Sequence, residues 1–222
     1  MELKIMRLCF ENIEMPKRDI PKIRGFIANK FSQYEELHNH KGEKNIYGYP
    51  IIQYKAIHHM PCILGINEGI DIIKKIETEI DTLNIGNNIL NIYEKQIKYE
   101  KVEYGICNTL LKYKFDSPWM CLNENNFKIY KKSNEEEKTQ LLKSILIGNI
   151  LSMSKRFKYT VDEKIIAYLN LQPCGIRFKN KDMLGFKGEF ITNFKIPDYM
   201  AVGKSVSRGF GTVKYMGNFD FK

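Results

Sequence analysis

Two histidines one residue apart, His38-Asn39-His40, stand in a polar stretch and are followed by Lys41, Lys44 and Tyr47. Imidazole titrates near neutral pH, so such a pair can remove a proton with one ring and return one with the other. Three readings fit these residues. As a His-x-His metal site, joined by His58 or His59, the set lacks the cysteine pair or carboxylate cluster that would complete it. As surface residues, both imidazoles are simply solvated. As an acid/base pair, they suit a substrate that brings its own nucleophile, such as a ribose 2′-hydroxyl beside its phosphodiester. That reaction needs alignment, proton transfer and stabilisation of the charge gathering on phosphorus, and calls for no metal and no cofactor. Each positioned acid or base contributes about 10²- to 10⁴-fold. Lys44, with Lys41 nearby, would supply positive charge, and Tyr47 could assist proton transfer. His58 and His59 fall between two apolar runs and read as turn residues or RNA contacts.

A second candidate lies near the C-terminus, in Gly203-Lys204-Ser205-Val206-Ser207-Arg208-Gly209-Phe210-Gly211. A nucleotide-hydrolase phosphate loop follows a strand, ends in Gly-Lys-Ser/Thr and opens a helix. Here Gly-Lys-Ser opens the run, and a strand-like Thr212-Val213-Lys214-Tyr215 follows it, which argues against that class. Two readings remain: a hairpin that turns the chain, and a loop in which Gly203, Gly209 and Gly211 let the backbone approach a polyanion while Lys204, Ser205 and Arg208 contact its phosphates. Lys155 and Arg156, at the end of an expected long helix, are further basic candidates; the helix dipole also accounts for them there.

The charge distribution favours a polyanion. The formal charge is +9, yet residues 1–100 hold 14 Lys/Arg against 14 Asp/Glu, whereas residues 101–222 hold 21 against 12. A basic half beside a neutral half points to RNA or DNA more than to a membrane surface, because no basic amphipathic helix stands out. No apolar run reaches the length of a membrane span. The start of the chain alternates as a strand does and reads as a strand instead of a signal peptide. The five cysteines have no CxxC spacing and read as reduced core cysteines, so a cytoplasmic location is expected.

The elements that must position these residues follow from periodicity. Residues 3–10 alternate as a strand, residues 20–31 carry apolar residues on one helical face, and residues 49–57 and 61–66 read as a hairpin around His58-His59-Met60. A helix over 69–80 and a strand over 88–99 complete the first half. In the second half, strands are expected over 102–115 and 126–130. A long helix is expected to open with the capping pattern Ser133-Asn134-Glu135-Glu136, followed by strands over 165–176 and 183–195. The pattern strand, helix, strand, strand, helix, strand predicts an α+β protein of two tandem ferredoxin-like (RRM-like) domains. They span 1–100, with the histidine loop, and 101–222, basic and modified by the loss of its second helix.

With these residues in place, the chain resembles the CRISPR-associated endoribonucleases of the RAMP superfamily that process precursor CRISPR RNA. The glycine-rich run, with Arg208-Gly209-Phe210-Gly211 its tightest part, resembles the family signature. Leu37-His38 after the first helix, followed by Lys44, resembles the family's catalytic histidine and supporting lysine. The resemblance implies metal-independent cleavage within each repeat, leaving 2′,3′-cyclic phosphate and 5′-hydroxyl ends, with His38, His40, Tyr47 and Lys44 at the active site. Many relatives place a tyrosine in the first helix; residues 22–30 contain none, which leaves Tyr47 or the second imidazole as proton-transfer partner. CRISPR repeat RNA is the implied partner. Some members are homodimers, others join an effector complex, and some superfamily relatives bind RNA without cutting it.

Overall fold

The computed structural model describes residues 1–38, 40–41, 44–45, 48–179 and 181–220, with residues 38, 40, 41, 44 and 45 described by their backbone alone. The first half runs β1 (Glu2–Phe10), α1 (Ile20–Lys30), α2 (Glu35–His38), β2 (His40–Lys41), β3 (Lys44–Asn45), β4 (Ile52–Ile57), β5 (Met60–Ile66), α3 (Gly69–Ile76), β6 (Thr82–Ile85), β7 (Asn88–Asn91) and β8 (Lys95–Glu103). The second half runs β9 (Gly105–Phe115), α4 (Glu124–Lys132), α5 (Glu135–Arg156), β10 (Ala167–Phe178), β11 (Lys181–Lys195) and β12 (Val213–Phe219). No helix among the described residues is long and apolar enough to cross a membrane.

Two four-stranded sheets have the orders β4-β5-β1-β8 and β10-β11-β9-β12. Numbering the strands of each sheet by their place in the chain, both orders read 2-3-1-4, the arrangement of a ferredoxin-like sheet. In the first half, α1 and α3 are the two crossover helices. In the second, α5 follows the first strand, but the described residues between β11 and β12 form no second α-helix. The chain instead carries the glycine-rich segment with a single 3₁₀ turn, Val206–Arg208. The chain divides into two compact units: residues 2–102 with 206–209, and residues 103–205 with 210–222 and Met1.

Local chemistry explains the main elements. The β4–β5 hairpin closes on His58 and His59, whose φ angles of 50° and 66° supply the two left-handed positions that a tight hairpin turn demands. α1 buries Ile20, Ile23 and Ile27 on one face, and Arg24 lies on that face too. α5 starts at a reciprocal cap in which the Asn134 side chain accepts from the Glu137 N–H and the Glu137 carboxylate accepts from the Asn134 N–H, both at 2.9 Å. The second unit's core is aromatic, with Tyr104, Tyr113, Trp119, Phe186, Phe190 and Phe194 fully buried.

Several expectations are corrected. Residues 126–130 lie inside α4, which Asn123 caps through its side chain and the Asn126 N–H. The aromatic and Ile content of that stretch mimics a strand, and α4 buries no residue, so no apolar stripe revealed it. The cap of α5 is Asn134, one residue later than the Ser133 reading. The expected single strand over 88–99 is interrupted, because β7 pairs with β6 across a turn at Gly86 before β8 begins. Helix α3 stops at Ile76 and tightens into a 3₁₀ turn, Glu77–Glu79. Finally, Cys9 and Cys62 are joined by a disulfide instead of being reduced: they are direct register partners on β1 and β5, Cα atoms 4.1 Å apart. Their separation of 53 residues hid that pairing in the sequence.

Candidate functional site

In the first unit, α1 is the platform. It packs against α2, whose last residue is His38, and against the 3₁₀ turn that ends in Arg208. His40 opens β2, opposite Asn45 of β3, and Lys44 is the register partner of Lys41. A short hairpin therefore carries His40 and Lys44 immediately after the helix that ends in His38. Tyr47 lies outside the described residues.

The turn at 206–208 also packs against β4, the edge strand of its sheet. β4 is buried over its whole length, so the turn covers a strand edge that would otherwise present unpaired backbone groups. Gly209 permits this approach. Its φ is +88°, and a Cβ there would lie 3.0 Å from Ile20 Cγ2 and 3.2 Å from the Tyr54 carbonyl oxygen. Arg208 is half-buried, and burial holds its guanidinium below the usual arginine range. Arg24 is more buried; burial first, and the Arg208 charge second, lower it, with Tyr54 partly offsetting the two.

In the second unit, the flanks of the glycine-rich segment are pinned. Val202 donates its N–H to the Gly211 carbonyl at 2.8 Å, and Gly211 donates to the Pro118 carbonyl at 2.8 Å. Lys204 donates its backbone N–H to the Met120 carbonyl at 2.8 Å and its ammonium to the Leu122 carbonyl at 3.1 Å. Burial lowers the Lys204 ammonium from its ordinary value. An ammonium has three donors, so one bond to Leu122 leaves donors for an anion. Ser205 sits at φ 55° and Gly203 at φ 101°, while Phe210 meets Phe178 edge-on at 5.7 Å between ring centroids. In this unit the backbone of Lys204 is thus held in place, while Arg208 is carried by the 206–209 turn of the first unit. Lys155 and Arg156 are exposed in the last turn of α5, where cations meet the negative end of the helix.

Sequence reasoning missed Arg24 and Tyr54. An arginine on an apolar helix face reads as a side chain that snorkels to water, and a tyrosine in an apolar strand reads as core. The approach of residues 206–209 to α1 and β4, far apart in sequence, is what distinguishes them.

Tandem ferredoxin-like units with a glycine-rich turn before the last strand define a RAMP-type protein. Residues 1–103 match the Cas6b N-terminal domain, residues 105–216 match the Cas6b C-terminal domain, and the chain belongs to the Cas6b family. It is 42% identical to a Cas6b of known crystal structure, covering 97% of this chain and 100% of that one with a TM-score of 0.94. It is 38% identical to a second, the CRISPR RNA processing endoribonuclease Cas6b, over 97% of this chain and 100% of that one, with a TM-score of 0.80. An uncharacterised protein of Methanocaldococcus jannaschii is 42% identical over 140 residues, 63% of this chain and 95% of its own.

Proposed function

We propose that the protein is a metal-independent endoribonuclease that cleaves precursor CRISPR RNA within its repeats. The observation that carries this reading is the 38% identity, across nearly the whole chain, to a protein described as the CRISPR RNA processing endoribonuclease Cas6b. The placement of the His38 helix and the Arg208 turn on the one helix α1 supports it.

In the proposed reaction, one of His38 and His40 takes the proton of the ribose 2′-hydroxyl. The 2′-oxygen forms a bond to the adjacent phosphorus, the bond from phosphorus to the 5′-oxygen breaks, and the other imidazole protonates that oxygen. The products are a 2′,3′-cyclic phosphate and a 5′-hydroxyl. Lys44 stabilises negative charge on the phosphorane, and Tyr47 assists proton transfer. The histidines and the Arg208-Gly209 turn belong to the unit over residues 2–102 and 206–209, while Gly203, Lys204, Ser205 and Gly211 belong to the basic unit over 103–205 and 210–222; in this reading Lys204, Ser205 and Arg208 contact phosphates. Lys155 and Arg156 extend the basic surface.

The test is incubation of the purified protein with an RNA holding two repeats, in EDTA, beside copies bearing a 2′-deoxy substitution at each candidate cleavage position. Cleavage of the first, a cyclic phosphate by mass, and an intact 2′-deoxy copy are expected. Cleavage that depends on a divalent ion, or that leaves a 5′-phosphate, overturns the mechanism. Tight binding of a cognate repeat with no cleavage would make the protein a non-catalytic RNA-binding subunit.

A further inference from the structure

Tyr54 is 1% exposed, and among the described residues its hydroxyl has no hydrogen-bond partner. A buried hydroxyl without a partner has given up its bonds to water for nothing, so it marks a place where a ligand can complete the structure. Burial pushes its pKa well above the usual tyrosine value, so the group stays a neutral O–H donor at every physiological pH.

One cation, Arg24, lies within electrostatic reach of that hydroxyl, and a second, Arg208, within reach of Arg24. Arg24 lies one helical turn beyond Ile20 on the buried face of α1 and is 8% exposed. Gly209 is packed against both Ile20 and the Tyr54 carbonyl, which sets its chain neighbour Arg208 beside the same helix and strand. The two guanidiniums are within electrostatic reach of each other and both partly withdrawn from water, so an anion that both could meet would be attracted by each. Guanidinium groups match phosphate oxygens in pairs, which makes a phosphate group the ligand of matching shape.

We propose that Arg24, Arg208 and Tyr54 together form a binding site for one phosphate of the RNA, the two guanidiniums flanking it and the Tyr54 hydroxyl donating to it. This rests on the RNA reading above and adds Arg24 and Tyr54 to it. Because α1 also packs on the helix ending at His38, the phosphate held here is one close to the cleaved bond, and Arg24 and Tyr54 set the register of the strand relative to the imidazoles.

The test uses repeat RNA protected by a 2′-deoxy substitution at the cleavage position, with neutral methylphosphonate linkages introduced one at a time. On the wild-type protein, one linkage should weaken binding by about tenfold or more, as expected when charge-assisted bonds are removed. Arg24→Met, Arg208→Met and Tyr54→Phe should weaken binding to unmodified RNA and abolish the extra sensitivity at that same linkage. Tyr54→Phe keeps the ring and its packing, so it carries the test if an arginine variant fails to fold. The proposal is overturned if Arg24→Met and Tyr54→Phe fold and bind like wild type, or if they bind weakly but retain sensitivity at that linkage. Thermal unfolding in inorganic phosphate, against chloride at matched ionic strength, separates the site from its RNA reading. Stabilisation of the wild type but not of Tyr54→Phe, in a protein that does not bind repeat RNA, would keep the anion site and discard the RNA function. No stabilisation together with no RNA binding would discard both.

Discussion

Gly203 and Trp119 are packed so closely that a Cβ on the glycine would sit 2.6 Å from the indole Nε1. The indole cannot retreat freely, because it is fully buried, donates to Asn149 Oδ1 at 3.2 Å and stacks on Phe115 with 5.4 Å between centroids. On the other side, the same Cβ would lie 2.7 Å from the Met120 carbonyl oxygen, at a φ of +101°. Gly203→Ala is expected to destabilise the protein by roughly 2–4 kcal/mol. Gly148→Ala, in α5 with nothing within 4 Å, is expected to stabilise it by about 0.5–1 kcal/mol. Denaturant titration of the two variants checks both signs.

His38→Ala and His40→Ala are each expected to slow repeat cleavage about 10²- to 10⁴-fold while leaving RNA affinity nearly unchanged. Single-turnover rates beside equilibrium binding separate the two effects. Full activity in both variants would remove the imidazoles from the mechanism.

Replacing Arg208 or Lys204 by Met should lower RNA affinity and reduce the slope of log affinity against log salt by roughly 0.7 for each phosphate the protein no longer neutralises. Binding isotherms at several salt concentrations give the slope, and an unchanged slope would show that the glycine-rich loop does not grip phosphates.

The cysteines give a chemical count. Denatured without reductant, the protein should expose three reactive thiols, Cys107, Cys121 and Cys174, with Cys9 and Cys62 oxidised. In the native state at pH 8, Cys121 should resist alkylation, since it is buried and its thiol is pushed up to about 12, leaving about one part in 10⁴ as thiolate. Reduction should cost on the order of 4 kcal/mol of stability, the loop-closure estimate for a crosslink across this separation. Five reactive thiols without reductant would refute the pairing.

Asn134→Ala should cost about 1 kcal/mol by removing the reciprocal cap of α5. Ser133→Ala should cost less, because the Ser133 hydroxyl only back-bonds to the Ile129 carbonyl at the end of α4. Thermal unfolding of the pair distinguishes the caps.

The ferredoxin-like plan was legible because it rests on local periodicity: the apolar face of α1, the alternation in β1 and the hairpin around His58 and His59 all speak within a few residues. Helix α4 was not, since a helix with no buried residue has no stripe to read and its Phe127, Ile129 and Tyr130 carry strand propensity. The histidine pair and the Gly203 to Gly211 run were legible as residue types at short spacing. The Cys9–Cys62 bond and the company Arg208 keeps with Arg24 and Tyr54 depend on contacts between distant segments, and those exist only once the sheets are paired.

Residues 206–209 belong to the unit that begins at Glu2, yet the ribosome reaches them only after making the whole of residues 103–205, which belong to the other unit. The domain started first is therefore completed late. A chain cut short before Arg208 would hold the histidines without the turn that covers β4, so the first unit's packing is complete only once synthesis has passed Gly209.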